Sequence, residues 1–368
     1  MEFIDLKRQY SDIKEKINSG INDVLEHGRY IMGPEVDTLE KNLSDFTGSK
    51  HVISCSSGTD ALLMSLMSLD VKRGDYIITT PFTYIATAEV ISLLGAIPKF
   101  IDIDPRTFNI DMHQLEDELK KEPDKYKFIM PVNIFGLPAN YPDLFVLKEK
   151  YKLLIIEDAA QSFGASIEGR MSCNFGDIGC TSFFPAKPLG CYGDGGAIFT
   201  DDDEIAEVLK SIRVHGTGTD KYDNIRIGIN GRLDTIQAAI LIPKLEILSR
   251  EIESRNNVAK KYNERLNKNF GIQKNPSGYV SSWAQYSILC NSFEHRETIM
   301  KKLANNSIPN AIYYRIPLHL QKVYQKLNYK EGDFQISEDI SSRILSLPMH
   351  PYLSQKEIKN ICDVILGE

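Results

Sequence analysis

Leu153-Leu154-Ile155-Ile156-Glu157-Asp158-Ala159-Ala160-Gln161-Ser162 joins an apolar run to two adjacent acids. A strand apolar along its whole length is buried on both faces, as inner strands are in a sheet covered by helices. The flanking sequence agrees. From His51 to about Thr200, short apolar runs recur at His51–Cys55, Tyr76–Thr79, Lys99–Ile103, Lys127–Val132, Leu153–Glu157 and Cys180–Phe184. They alternate with helical patterns at Thr59–Leu69, Ala86–Leu94 and around Asp143–Lys150. This rhythm predicts an α/β fold with a mostly parallel sheet and helices on both faces. Upstream, Lys14–Glu26 and Glu35–Phe46 read as amphipathic helices, separated by a loop that Gly28, Gly33 and Pro34 punctuate.

After Asp234 a charged, apolar-periodic segment to about Lys268 predicts one or two extended helices. Beyond it lie a strand-like Tyr286–Cys290, a helix near Glu294–Asn305, a strand near Ala311–Tyr314 and a terminal helix around Gln355–Leu366, a smaller α+β unit. The expected division is a large domain with the N-terminal helices over residues 1–245, then a connecting helix and small C-terminal domain over 246–368.

The 368 residues carry 43 Lys+Arg against 50 Asp+Glu, a formal charge of −7. No global basic field is available to hold nucleic acid, so any anionic ligand must be gripped locally. Met1–Lys7 carries charges where a secretory leader needs an apolar core, and no apolar run reaches membrane-spanning length. A cytoplasmic protein with neither nucleic-acid nor membrane partner is expected. The six cysteines, Cys55, Cys173, Cys180, Cys191, Cys290 and Cys362, form no C-x-x-C pair and have no nearby His ligands. That argues against zinc and against a disulfide framework, and no metal is expected.

Five stretches carry candidate chemistry. Asp158 emerges from a buried strand and needs a partner, because an unpaired buried carboxylate is costly. A protonated heterocyclic nitrogen would serve, and so would the N–H groups of the following turn. In Cys55-Ser56-Ser57-Gly58-Thr59-Asp60-Ala61, glycine permits a tight strand-to-helix turn whose first N–H groups, with the Thr59 hydroxyl, suit a phosphate. Ser57 or Thr59 is equally suited to cap the helix. Pro81-Phe82-Thr83-Tyr84-Ile85-Ala86-Thr87 presents Tyr84 at the carboxyl edge of the sheet, where ligands of open α/β sheets bind. Tyr84 can stack on a planar ring there or pack into the core.

The fourth stretch runs from Thr181 to Thr200. It sets Ser182 on a strand and Lys187 in a loop of aromatics, prolines and glycines. Crowding lowers the cost of losing the lysine proton and makes the amine a nucleophile able to form a Schiff base. An ordinary solvated lysine is the alternative. The glycines between Gly190 and Gly196 do not fit G-x-G-x-x-G, which disfavours a dinucleotide fold. The fifth, Gly228-Ile229-Asn230-Gly231-Arg232-Leu233-Asp234, supplies an amide and a guanidinium. Arg232 suits a carboxylate, a phosphate or a surface ion pair.

Taken together, Ser57–Leu62, Glu157–Gln161, Ser182–Lys187 and Asn230–Asp234 resemble, in order and spacing, the DegT/DnrJ/EryC1/StrS family of sugar-nucleotide aminotransferases. The resemblance implies the aspartate-aminotransferase-like fold (fold type I) of pyridoxal phosphate enzymes and a homodimer with active sites at the subunit interface. It implies transfer of an amino group from L-glutamate, released as 2-oxoglutarate, to a nucleotide-linked keto sugar. The cofactor would be pyridoxal 5'-phosphate, present as pyridoxamine 5'-phosphate between the half-reactions. By the same resemblance Lys187 is the Schiff-base lysine and proton carrier, and Asp158 the partner of the pyridine nitrogen. Gln161 contacts the ring oxygen, Gly58, Thr59 and Ser182 contact the phosphate, Asn230 reaches the phosphate of the other subunit, and Tyr84 stacks on the ring.

Phe3–Lys7, Tyr30–Val36, Asp102–Thr107, Cys180–Thr200 and Leu345–Leu353 resemble those members that aminate C3 of UDP-2-acetamido-2-deoxy-3-oxo-D-glucuronate for bacterial surface polysaccharides of O-antigen type. There, an arginine matching Arg232 and a His-Tyr pair before an Ile-Pro-Leu turn hold the sugar carboxylate. Here the turn reads Tyr313-Tyr314-Arg315-Ile316-Pro317-Leu318, with Tyr313 in place of the histidine and Arg315 in place of a proline. A tyrosine hydroxyl and an added guanidinium suit a carboxylate. A neutral UDP- or dTDP-linked 3-oxo or 4-oxo sugar is the alternative. Dehydrase relatives carry histidine at the lysine position, so Lys187 argues against that chemistry, and a regulatory member without turnover is a further alternative.

Overall fold

The computed structural model describes residues 1–220 and 222–367. Helices α1 (Leu6–His27) and α2 (Pro34–Thr47) lead into β1 (His51–Cys55), α3 (Gly58–Ser68), β2 (Tyr76–Thr79), α4 (Ala86–Leu93) and β3 (Ile97–Phe100). Next come α5 (Met112–Lys121), β4 (Tyr126–Ile129), α6 (Tyr141–Tyr151), β5 (Leu154–Asp158), the short β6 (Ser166–Ile167) and β7 (Arg170–Met171), then β8 (Ile178–Ser182) and β9 (Gly196–Thr200). After α7 (Asp203–Ile212), the 32-residue α8 (Thr235–Leu266) leads into the smaller unit. That unit holds β10 (Gly271–Ile272), β12 (Tyr286–Leu289), α9 (Phe293–Asn305), α10 (Gln335–Arg343), β13 (Ile344–Leu347) and α11 (Gln355–Leu366), while β11 (Tyr279–Val280) pairs with β6 beside the large sheet.

The large sheet has the order β1-β9-β8-β5-β4-β2-β3. Pairs β2–β3, β2–β4, β4–β5 and β5–β8 are parallel, while β9 runs antiparallel to both β1 and β8. The apolar run that opened the reading is the middle strand, and its burial on both faces explains the absence of alternation. Because β1, β2, β4, β5 and β8 point the same way, their carboxyl ends share one edge.

Sequence reading missed α5, α7 and α10. In α5, Leu115 and Leu119 are the buried residues of a ten-residue, mostly charged helix, which leaves little apolar period to detect. Its capping Asp111, which accepts from the His113 and Gln114 N–H groups, was the available signal. The expected strand at Ala311–Tyr314 is corrected: Ala311 makes an isolated bridge to Ser346, and β13 fills the sheet beside β12. The segment expected as one or two helices is the single helix α8, Thr235–Leu266, although Pro243 lies inside it. Pro243 has no N–H for the carbonyl of Ala239, and at that carbonyl Gly20 of α1 comes close: a Cβ on Gly20 would lie 3.3 Å from it.

Along α8 the apolar partners change. Leu241, Leu245, Leu248 and Ile252 share a core with Val36, Leu39 and Leu43 of α2. Val258, Ala259, Tyr262 and Leu266 belong instead to the core of the smaller unit, with Tyr286, Ile288, Leu345 and Ile361. The smaller unit also returns to the large sheet: Ile312, Tyr313 and Tyr314 pack on Phe82, Phe108 and Phe135, and the Leu318 N–H donates to the Pro81 carbonyl at 2.8 Å. The turn at 313–318 is thereby fixed over the carboxyl edge.

Candidate active site

Asp158 is the last residue of β5 and is 5 % exposed. Strand alternation sends its side chain and that of Glu157 in opposite directions. Glu157 is fully buried and accepts from Asn133 Nδ2, Ser172 Oγ and the N–H groups of Cys173 and Phe175, so its role is to tie the loop 172–175 to the sheet. Asp158 Oδ2 accepts from Thr87 Oγ1 at 2.8 Å, and Oδ1 from the Ala160 N–H at 3.2 Å. Asp158 does cap the following turn, but among the described residues no cation is bonded directly to its carboxylate.

Lys187 is half-buried, and its N–H closes a turn on the Phe184 carbonyl at 2.9 Å. Burial lowers its amine pKa, while the nearby Asp158 charge opposes that shift. Burial likewise raises the Asp158 pKa, against the Thr87 and Ala160 hydrogen bonds and the Lys187 charge. The loop owes its shape partly to the chain behind it: the Cys191 N–H donates to the Phe183 carbonyl, and the buried Lys244 amine of α8 donates to the Gly190 carbonyl.

The start of α3 meets the end of β8 at an unusually short separation. A Cβ on Gly58 would lie 2.6 Å from the Ser182 Cβ and 3.1 Å from its Oγ, so only glycine fits. Ser57, not Thr59, is the helix cap, accepting from the Asp60 N–H at 3.0 Å. The Thr59 hydroxyl is thus left available beside the first-turn N–H groups, with Ser182 across the turn. The Ser56 N–H donates to the Gly231 carbonyl at 3.0 Å, which brings the 228–234 loop against the same turn. In that loop Arg232 Nε donates to Asn230 Oδ1 at 2.9 Å, and Asn230 is exposed. The contact is not an ion pair.

Tyr84 is 59 % exposed, which removes the core-packing alternative. Its ring lies 6.5 Å from that of Tyr314, tilted by 40°. Gln161 is buried and already engaged at both ends: its Oε1 accepts from the Phe135 N–H at 2.7 Å and its Nε2 donates to Tyr314 OH at 2.9 Å. Burial raises the Tyr314 pKa, so the phenol remains protonated through neutrality. Tyr313 is half-buried against Phe3, with rings 6.4 Å apart, and Arg315 is exposed.

The edge therefore gathers Gly58, Thr59, Tyr84, Asp158, Gln161, Ser182, Lys187 and Tyr314, with Asn230 and Arg232 on an adjoining exposed loop. Thr87 is the contact the sequence reading passed over. It was quoted within 81–87, but its partner lies 71 residues away and nothing local points to it.

The sequence profile of the DegT/DnrJ/EryC1/StrS aminotransferase family matches residues 11–366. The chain is 47 % identical over 363 residues to the UDP-2-acetamido-2-deoxy-3-oxo-D-glucuronate aminotransferase of Pseudomonas aeruginosa, covering 98 % of each chain. A crystal structure of a DegT DnrJ EryC1 StrS aminotransferase from Brucella abortus superposes with a TM-score of 0.95 at 48 % identity, covering 100 % of this chain and 99 % of the other. NtdA of Bacillus subtilis, solved with bound cofactor PMP, superposes with a TM-score of 0.91 at 28 % identity, covering 100 % of this chain and 84 % of the other.

Proposed function

The chain belongs to the DegT/DnrJ/EryC1/StrS aminotransferase family, and we propose that within it the protein moves the amino group of L-glutamate to C3 of UDP-2-acetamido-2-deoxy-3-oxo-D-glucuronate. Its fold is that of the type I pyridoxal phosphate transferases, and its chemistry is that of a PLP-dependent sugar aminotransferase. The residues at the carboxyl edge fit that cofactor. A buried carboxylate with no cation bonded to it among the described residues suits a proton-bearing ring nitrogen, and an amine of depressed pKa suits an aldehyde. The turn at Gly58, which a Cβ would fill, suits a phosphate.

When bound, the cofactor supplies an electron sink for the carbon that loses its proton and a carrier for the amino group. The chain's own residues do the rest. Asp158 would hold a proton on the ring nitrogen. Lys187 Nζ would anchor the aldehyde carbon and, once displaced by the incoming amine, would take the donor's Cα proton and return it to the carbon on the far side of the shared nitrogen. The α3 N–H groups with Thr59 and Ser182 would hold the phosphate, Tyr84 would cover the ring face, and Gln161 would contact the ring oxygen. The observation that carries the chemistry is geometric: β5 and β8 pair in parallel with Asp158 beside Cys180, so the β8 loop sets Lys187 close enough to Asp158 for their charges to interact. The likeness to the P. aeruginosa enzyme supports the substrate.

A homodimer with shared sites fits the 225–232 loop, where Ile225 and Ile227 are 56 % and 85 % exposed beside Asn230 and Arg232. In that assembly Asn230 reaches the partner's phosphate, and Arg232 with Tyr313, Tyr314 and Arg315 reads the sugar carboxylate. The product would feed an O-antigen-type polysaccharide made from cytoplasmic precursors. The test is to incubate the protein with PLP, L-glutamate and a panel of UDP- and dTDP-linked 3-oxo and 4-oxo sugars, identifying products by mass and NMR. Amination at C3 of the UDP-linked uronate above all others is expected. Preferential amination of a sugar without a carboxylate would overturn the substrate.

A further inference from the structure

Two threonines, Thr83 just before α4 and Thr87 in its first turn, lead to Asp158. Thr83 and Thr87 are 2 % and 1 % exposed. Their hydroxyl oxygens lie 3.1 Å apart, and Thr87 Oγ1 donates to Asp158 Oδ2 at 2.8 Å. Since the Thr87 proton goes to the carboxylate, the remaining bond is Thr83 donating to Thr87, and the chain Thr83→Thr87→Asp158 has one direction. A hydrogen bond donated to a carboxyl oxygen is stronger when the group is ionised, so the chain favours the ionised form. Among the described residues, a second donor to Asp158 is the Ala160 N–H, at the longer distance of 3.2 Å.

We propose that Thr87, itself oriented by Thr83, is a positioning residue that keeps the Asp158 carboxylate ionised and its orientation fixed for the cofactor's ring nitrogen. The assignment rests on the reading of Asp158 as the ring-nitrogen partner. It also explains an arrangement in the 81–87 loop. Thr83 directly precedes Tyr84, so one short segment sets both the residue over the ring face and the hydroxyl chain behind the carboxylate.

Apoprotein of wild type, T87V, T87S, T83A and D158N, reconstituted with PLP, distinguishes the possibilities through the PLP dissociation constant and the absorbance of the bound cofactor at fixed pH. Valine keeps the shape of threonine and removes the donor. T87V is expected to bind PLP about tenfold more weakly, the worth of one hydrogen bond to a charged group. Its spectrum should shift in the direction seen for D158N, with T87S close to wild type and T83A showing a smaller change of the same sign. Should T87V not fold, T83A and T87S still decide, because T83A removes a donor and T87S does not. An unchanged D158N would refute the Asp158 reading itself. A changed D158N with T87V and T83A both unchanged would overturn this proposal alone, as would equal losses in T87S and T87V, which would mark packing rather than the hydroxyl.

Discussion

Gly58→Ala is the sharpest perturbation of the phosphate cradle, because one methyl group is placed where the structure has no room. The new Cβ would sit 2.6 Å from Ser182 Cβ, 3.1 Å from Ser182 Oγ and 3.2 Å from Ser182 Cα. The first distance is roughly 1 Å inside the optimum C–C separation. Two of the three neighbours are the rigid base of a side chain on β8, so α3 must retreat rather than a rotamer turn. Overpacking of this kind costs about 1–3 kcal/mol, offset in part by up to about 1 kcal/mol from the better helix propensity of alanine. A net loss of roughly 1–2 kcal/mol is expected for the apoprotein, read as a shift in urea midpoint with unchanged slope. The cofactor tells more. If the α3 N–H groups and Ser182 together hold the phosphate, parting them weakens PLP by roughly tenfold or more, whereas pyridoxal, which has no phosphate, loses far less. Titrating both ligands into the variant and wild-type apoproteins gives the ratio directly. Equal weakening of PLP and pyridoxal, or unchanged PLP affinity in a folded variant, would refute the placement of the phosphate at this turn.

Lys187→Ala should bind PLP without the absorbance of the lysine adduct, and glutamate should not convert it to the pyridoxamine form at a measurable rate. Stopped-flow spectra check this, and full turnover would remove Lys187 from the mechanism. His350 makes a prediction about stability. It is 4 % exposed, and burial, with the Arg255 charge nearby, depresses its pKa to about 4 despite Asp5 and Glu357. The unfolded chain takes up this proton near pH 6.5 and the folded chain does not until about pH 4. The contribution is therefore present above pH 6.5 and lost as pH falls between those values, by roughly 3 kcal/mol in all. His350→Gln should flatten that part of the urea-stability profile, and an unchanged slope would show that other groups set it.

Much of the candidate site was legible because its residues sit where one-dimensional signals are strongest. Asp158 closes a run of apolar residues, Gly58 and Thr59 open a helix after a strand, and Lys187 follows a strand into a Gly/Pro loop. Each is marked by its own neighbours. What escaped depends on partners far along the chain. Thr87 meets Asp158 across the sheet edge, and Gln161 meets Tyr314 across 153 residues. No periodicity carries such a contact. The fold divides the same way. The parallel strands were visible as apolar runs, but the place of β9 between β1 and β8 was not, because order in a sheet is set by crossovers rather than by local pattern. Gly196 gives the physical reason that strand fits: a Cβ there would lie 2.4 Å from the Ser57 carbonyl, so β9 packs under the α3 turn only as glycine. The two adjacent acids of β5 looked alike in sequence, and alternation separated them into a fully hydrogen-bonded structural carboxylate and one left facing the site.

That separation bears on why Lys187 and Asp158 must be considered together. Burial acts oppositely on the two groups: it favours the neutral amine and the neutral acid alike, and each resists because the other carries charge. A lysine buried alone would lose its proton without help, and an aspartate buried alone would keep one, but neither state serves a reaction that needs a nucleophilic amine and an ionised carboxylate at once. The Thr87 and Ala160 donors favour the charged form of Asp158 independently of Lys187. They allow the carboxylate to stay ionised when the lysine gives up its charge. With the proposed cofactor bound, a protonated ring nitrogen would take the lysine's place as counter-charge of Asp158, and Lys187 would be released from its electrostatic hold where its amine must act.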